Sequence, residues 1–222
     1  MNLGKVGVIV AARTGSSRLP GKALLPLGGM PMALFLLRRL MPVRGAQLVL
    51  ATTTLAGDDV LAQIVADAGV PVFRGDPADL VQRYCDAAAQ FGFDTVVRIT
   101  ADCPFVDAAL VEHCLQQAQE IGQWDIATTK GQFPVGLDAE IYPARLMQRL
   151  NEAAPLSAED REHLTLHLYR NDYAVVRLVP SADWLASSGV FTVDTPQDYE
   201  LAAQIVAAFN GADFSIKELL SR

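Results

Sequence analysis

Val6-Gly-Val-Ile-Val-Ala-Ala-Arg-Thr-Gly-Ser-Ser-Arg-Leu-Pro-Gly-Lys22 decides the fold, because an apolar, β-branched run passes directly into a polar loop rich in glycine and cations. Residues 6–12 read as a strand buried on both faces, the kind found in a parallel sheet. The loop from Ala11 to Lys22 then places Gly15, Gly21, Ser16, Ser17, Arg13, Arg18 and Lys22 within a dozen residues. Glycines let backbone amides approach phosphate oxygens, serines donate neutral hydrogen bonds, and arginine and lysine supply charge. The composition fits a grip on a polyanion, and it also fits a plain exposed polar loop.

Outward from this stretch, β-branched runs at residues 48–53, 70–73 and 95–100 read as further parallel strands. Helix-period stretches fill the intervals at 31–40, 58–68, 77–91 and 107–121, with Asp58 and Asp107 as opening caps. Such alternation means an α/β, Rossmann-like fold with right-handed crossovers. After Trp124 the rhythm changes to short strand-like pieces at 125–129, 137–142, 173–179 and 190–193, which predicts a mixed, mostly parallel sheet flanked by helices. No linker or repeat divides the chain, so residues 1–222 are expected to form one domain, with residues 1–123 and 124–222 as its two halves.

A chain of 222 residues buries roughly 70 % of its unfolded surface and needs no disulfide to hold a core. Cys85, Cys103 and Cys114 cannot all pair and lack metal-type spacing, which fits a reducing, cytoplasmic setting. The apolar start is better read as a first strand than as a signal peptide, since Arg13 and Arg18 stand where a cleavage site should be. No apolar run reaches the roughly 20 residues needed to insert in a membrane. A net charge of −7 disfavours a nucleic-acid partner, so an anionic ligand must meet a local cluster of cations.

In an open parallel sheet, ligands bind outside the carboxyl ends of the strands, which singles out the loops at 13–22, 101–107 and 194–198. Lys22 is followed by Ala23, and five residues separate Gly15 from Gly21, so the first loop is not a P-loop; no GxGxxG is present either. Arg13, Arg18 and Lys22 with one divalent metal would offset roughly the four negative charges of a nucleoside triphosphate. Asp102 lies too early to cap a helix that Asp107 can cap. Thr195-Pro196 with Asp198 makes a good helix entry that leaves Asp194 outside it. Asp102 and Asp194 are therefore candidate ligands for Mg2+, which takes one or two carboxylates plus phosphate oxygens and water. Their alternative role is to order loops.

The stretch Ala12-Arg-Thr-Gly-Ser-Ser-Arg-Leu-Pro-Gly-Lys-Ala-Leu-Leu-Pro-Leu-Gly-Gly29 resembles the signature loop of cytidylyltransferases that make CMP-activated sugars, of the spore-coat polysaccharide type. Val70-Pro-Val-Phe-Arg-Gly-Asp, Val97-Arg-Ile-Thr-Ala-Asp-Cys-Pro, Gly136-Leu-Asp-Ala-Glu, Arg161-Glu-His-Leu-Thr and Thr192-Val-Asp-Thr-Pro-Gln-Asp extend the likeness in the family's order. The resemblance implies a GT-A-like nucleotidyltransferase fold, a Mg2+-dependent reaction of CTP with a sugar, and a homodimer formed through the later half. It implies nucleotide contacts from Ala11, Ala12, Arg13, Gly15, Ser16, Ser17, Arg18, Lys22, Arg74, Asp76, Arg83, Ala101 and Asp102, with Arg18, Lys22, Asp102 and Asp194 catalytic. Sugar contacts fall to Gly136, Asp138, Glu140, Glu162, His163 and Thr165. Departures from the family pattern stand at Ala11 and Ala101, and at Leu166-His167 on the sugar side.

Other chemistry fares less well. His163 and His167 could share a helical face beside Glu162, but a catalytic zinc motif needs its Glu after the first His, where Leu164 stands. Cys103 lacks a base partner, and Ser16 and Ser17 lack a Ser-His-Asp context. Asp138 and Glu140 share one face of a strand, either over the crevice or on the wet side. The competing functions are a nucleotidyltransferase of another base, a sugar-nucleotide-dependent glycosyltransferase, or a catalytically silent nucleotide-binding module.

Overall fold

The computed structural model describes residues 2–153, 155–182, 184 and 189–221. Strand β1 (Val6–Ala11) leads through the polar loop and a 3-10 turn (Lys22–Leu24) into a small hairpin, β2 (Pro26–Leu27) and β3 (Met30–Pro31), and then α1 (Met32–Leu40). Next come β4 (Ala46–Thr53), a 3-10 turn (Ala56–Asp58), α2 (Asp59–Asp67), β5 (Val72–Gly75), α3 (Leu80–Phe91), β6 (Thr95–Thr100) and α4 (Ala108–Ile121). The later half contains β7 (Ile126–Thr128), β8 (Glu140–Pro143), α5 (Ala144–Ala153), α6 (Ala158–Glu162), α7 (Leu166–Arg170), β9 (Val175–Arg177), α8 (Pro196–Ala208) and α9 (Ile216–Leu220).

Seven strands make one sheet in the order β5-β4-β1-β6-β8-β7-β9. β5, β4, β1 and β6 run parallel, β8 is antiparallel to both of its neighbours, and β9 is parallel to β7, so the sheet is mixed as expected. Both faces are covered: Val8 and Val10 pack in a core with α1, α4 and α8, while Ile9 packs in the opposite core with α3 and α5. The chain steps outward from β1 to β4 and β5, then crosses back to β6 on the other side of β1. The loops leaving β1 and β6 therefore diverge and open a crevice at the strands' carboxyl ends.

Several expectations shift, each for a local reason. The strand expected at 70–73 is displaced to Val72–Gly75, where it pairs with residues 50–53 of β4. Helix α3 begins at Leu80 rather than at Pro77, because the Asp79 side chain accepts from the Gln82 amide and caps it. Asp107 caps α4 as read, but Asp58 makes no capping bond to α2. The strand expected at 190–193 is an extended segment with one isolated bridge, Val190 to Val135. Leu137 and Ala139 do not extend β8: the Thr129 hydroxyl donates to the Leu137 carbonyl and accepts from the Ala139 amide, while the Ala139 carbonyl accepts from the Thr129 amide at 3.1 Å. His163 and His167 do not share a helix. Leu164 has φ +29° and breaks the chain between α6 and α7. The Thr195 and Asp198 capping box and Pro196 open α8 as the sequence implies.

Gly136 is fixed by backbone proximity. Its φ is +93°, and a Cβ there would lie 2.4 Å from the Phe191 carbonyl carbon and the Thr192 nitrogen. The close approach lets the Phe191 amide donate to the Val135 carbonyl at 2.7 Å, and so guides the segment that ends at Asp194. Gly136→Ala is expected to lower unfolding free energy by more than about 1 kcal/mol, read from the denaturant midpoint, because alanine resists positive φ and has no room.

Candidate active site

The polar loop after β1 is held in shape from beneath. The Gly21 and Ser16 amides both donate to the Thr14 carbonyl, at 3.0 and 2.9 Å, with Gly21 at φ +70°. Thr14 is itself anchored by buried Asp58, whose Oδ1 accepts from the Thr14 amide and hydroxyl, both at 2.7 Å. The other carboxylate oxygen accepts from the Thr53 hydroxyl at the end of β4. Burial pushes the Asp58 carboxyl up, but the hydrogen bonds from Thr53 and Thr14 outweigh it and hold its pKa below the usual carboxylate value. Asp58 was expected as a helix cap; it is the loop's anchor.

Opposite the loop, Asp102 follows β6 and Asp194 precedes α8. The Val193 amide donates to the Asp102 carbonyl at 2.8 Å, which sets the two acids side by side although 92 residues separate them. Lys22 joins them: its ammonium lies 2.9 Å from Asp194 Oδ1, 3.1 Å from the Val193 carbonyl oxygen and 3.3 Å from Asp102 Oδ2. Arg18 reaches the same Asp194 oxygen at 2.9 Å. Burial raises the Asp102 pKa, but Lys22 and the Thr100 hydroxyl lower it more, so the carboxyl stays below its ordinary value and ionised. Two carboxylates and a carbonyl are hard oxygen donors, a set that suits Mg2+ sharing its remaining positions with phosphate and water. Among the described residues no cluster of three or more His, Cys, Asp or Glu is placed to hold a metal ion.

A cavity of about 410 Å³ is lined by Ala11, Ala12, Arg13, Gly15, Ser16, Ser17, Arg18, Lys22, Arg83, Ala101, Asp102, Glu162, His163 and Asp194. Fourteen residues picked from the sequence thus meet at one cleft. Arg13 crosses it toward Glu162, 4.0 Å away. Arg74 and Asp76 lie outside the lining. Arg74 bonds to the Thr53 and Leu55 carbonyls and pairs with Asp59, while Asp76 accepts from the Ala78 and Asp79 amides and shapes the turn before α3. Arg83 grips the Asp76 and Pro77 carbonyls, which places Pro77 and Ala78 on the cavity wall. Burial pushes the Cys103 thiol well up, so it offers no thiolate near neutral pH.

Gly136, Asp138, Glu140 and Thr165 are also outside the lining. Glu140 lies neither over the crevice nor on the wet side. It is buried at 1 % exposure, where Arg98, Lys130, Thr165 and Tyr169 all donate to it. Burial pushes its carboxyl up, but Arg98 and Lys130 prevail and bring the pKa down to about 2. Arg98, which the sequence reading passed over, is the cleft residue of this network. A charged residue inside the apolar run Thr95-Val-Val-Arg-Ile-Thr was the available signal.

A Rossmann-like sheet with a basic loop facing two carboxylates, one after β6 and one before α8, across a nucleotide-sized cleft defines a nucleotidyltransferase. The cytidylyltransferase family model matches residues 7–206, and the chain belongs to that family. It is 31% identical over 222 residues to the spore coat polysaccharide biosynthesis protein SpsF of Bacillus subtilis, an alignment covering 96% of this chain and 91% of that one. A cytidylyltransferase of Leptospira borgpetersenii superposes with a TM-score of 0.90 at 32% identity, over 98% of this chain and 93% of the other. The CMP:2-keto-3-deoxy-manno-octonic acid synthetase solved with CTP has the same fold, with a TM-score of 0.74 at 20% identity over 92% and 99% of the two chains.

Asp58→Ala is expected to destabilise the protein by about 1–3 kcal/mol, since it strands the Thr14 amide and the Thr53 hydroxyl. Asp58→Asn should recover part of the loss in the same denaturant titration. Glu140 sets a pH window. Its folded pKa lies near 2 against an ordinary 4.5, so its contribution is full above about pH 4.5 and is lost as pH falls toward 2. Glu140→Gln should flatten that acid limb of the stability curve and lower the melting temperature at pH 7.

Proposed function

We propose that the chain transfers CMP from CTP to a hydroxyl of a sugar acid, or a related sugar, for surface polysaccharide synthesis. The acceptor hydroxyl oxygen attacks the α-phosphorus in line and gives up its proton to solvent, the bond from that phosphorus to the β-phosphate bridging oxygen breaks with its electron pair going to that oxygen, and pyrophosphate leaves. The convergence of Arg18 and Lys22 on Asp102 and Asp194 carries this reading, because it brings phosphate-binding cations and metal-type ligands to one point. In this reading Arg18 and Lys22 neutralise the triphosphate and the departing pyrophosphate. Arg13, Gly15, Ser16 and Ser17 cradle the phosphates, while Ala11, Ala12, Ala101, Arg83 and the turn shaped by Arg74 and Asp76 border the base and ribose. Asp102 and Asp194 hold Mg2+, which when bound supplies charge neutralisation at the phosphoryl oxygens.

Glu162 and His163 line the cleft and serve as direct sugar contacts. Glu140 and Thr165, hydrogen-bonded to each other, stand behind them, Asp138 accepts from the Gly136 amide, and Gly136 acts through the backbone that ends at Asp194. Residues 1–123 then form the nucleotide half and 124–222 the sugar half of one domain. No described helix is long and apolar enough to cross a membrane; the cytoplasmic setting of this reading rests on three buried free thiols, Cys85, Cys103 and Cys114. A homodimer through the later half would use the apolar groove where half-exposed Val190 and Leu201 lie together with Ile205 and Ala208.

A coupled pyrophosphate assay with CTP and a panel of ulosonic, nonulosonic and phosphorylated sugars tests the reading. Turnover with one sugar class supports it, and CTP binding without pyrophosphate release under every sugar removes it. Lys22→Ala and Asp102→Asn are each expected to lower kcat by about a hundredfold or more while still melting cooperatively, as loss of transition-state charge stabilisation does, and Lys22→Ala should also melt lower because its two carboxylates lose a counter-charge. In a thermal-shift panel, CTP with Mg2+ should raise the melting temperature above UTP, ATP or GTP.

A further inference from the structure

We propose that the Lys22 ammonium is the resident counter-cation of the two-carboxylate site, so that a divalent ion enters with the nucleotide and not ahead of it. This rests on the nucleotidyl-transfer reading above and adds an order of binding to it. An ammonium has three N–H donors. Here the oxygens of Asp194, Val193 and Asp102 lie at 2.9, 3.1 and 3.3 Å and use all three. These are the same oxygens that would attract a metal.

Charge balance makes the two cations exclusive. Lys22 is 15 % exposed, so its repulsion of an incoming ion is weakly screened. Arg18 lies 2.9 Å from the same Asp194 oxygen, and with it two cations already answer two carboxylates. A divalent ion therefore gains little at this site until the lysine leaves. A triphosphate supplies both missing elements, since its oxygens give the ammonium a new partner and give the ion further ligands. The long lysine stem lets the charge swing from carboxylate to phosphate without a backbone change. The coupling is reciprocal: nucleotide tightens the ion, and the ion tightens nucleotide.

The test is a titration with Mn2+ alone, followed by the free-ion electron paramagnetic resonance signal, with no nucleotide present. Lys22→Met should bind Mn2+ at least about tenfold more tightly than the wild type, a size usual for coupled sites. Asp194→Asn placed on Lys22→Met should return the weak affinity, which locates the ion. Arg18→Met should gain clearly less than Lys22→Met, because it removes the same charge from outside the oxygen nest. Affinity in Lys22→Met equal to or weaker than wild type overturns the proposal, as does an Arg18→Met gain of the same size. A gain that survives Asp194→Asn also overturns it. Lys22→Gln makes the same comparison should the methionine variant not fold. The titration contains no CTP, so failure of the cytidylyl reading would appear in the pyrophosphate assay and not here.

Discussion

The hydrogen bonds from the Lys22 ammonium to Asp102, Val193 and Asp194 join three parts of the chain that have no covalent reason to meet. Lys22 ends the loop after β1, Asp102 follows the strand on β1's other side, and Asp194 arrives from the far half of the sequence. Without the lysine, two carboxylates would stand side by side and repel, and the extended segment before α8 would lose its charged attachment to the crevice. The doubly wound order of the sheet makes the meeting possible, because β1 and β6 are neighbours whose outgoing loops part in opposite directions.

A second charged knot, around Glu140, does for the rear of the cleft what Lys22 does for its mouth. Arg98 comes from the parallel half of the sheet, while Lys130, Thr165 and Tyr169 come from the later half, and all four converge on one buried carboxylate. A buried pair of this kind is weak evidence for net stability, since desolvation offsets much of the attraction. Its effect is on register. An unpaired Glu140 or Arg98 at that depth would cost several kcal/mol, on the order of 3–5, so alternative dockings of α6 and α7 are strongly disfavoured. Glu162 and His163 are thereby held at the cavity wall by residues behind them.

The alternating half was legible because its strands are β-branched runs of one period and its helices of another. The mixed sheet was legible from the change of rhythm after Trp124. The later half yielded its element boundaries poorly. Residues 137–139 look like strand but close around the Thr129 hydroxyl, which donates to the Leu137 carbonyl and accepts from the Ala139 amide, and Leu164 breaks a helical pattern with a backbone angle no periodicity reveals. At the site, Lys22, Asp102 and Asp194 could be read from loop composition and from capping logic that left both acids without another task. Asp58 could not. A carboxylate at a helix entry normally signals a cap, and only the fold shows that Thr14, 44 residues earlier in the chain, takes its place as partner. Glu140 was legible as an acid on a strand face but not as a buried one, because the cations that neutralise it are 42 and 10 residues away.

An acidic molecule that must hold a polyanion faces long-range repulsion, and the charges around the cleft show how the net −7 is tolerated. Arg13, Arg18, Lys22, Arg83 and Arg98 line the cavity against three carboxylates, Asp102, Asp194 and Glu162. Local sign is thus opposite to global sign, and within a distance of roughly 10 Å the local charges dominate in salt. The carboxylates do not undo this, because each already answers a cation: Asp194 and Asp102 hold Lys22, Asp194 also holds Arg18, and Glu162 faces Arg13. Pairing keeps the cations extended over the cleft and ready to exchange one oxygen partner for another. A site built only of free cations would bind any anion; one built of cations leaning on acids releases them only to a ligand that brings enough negative charge to replace both.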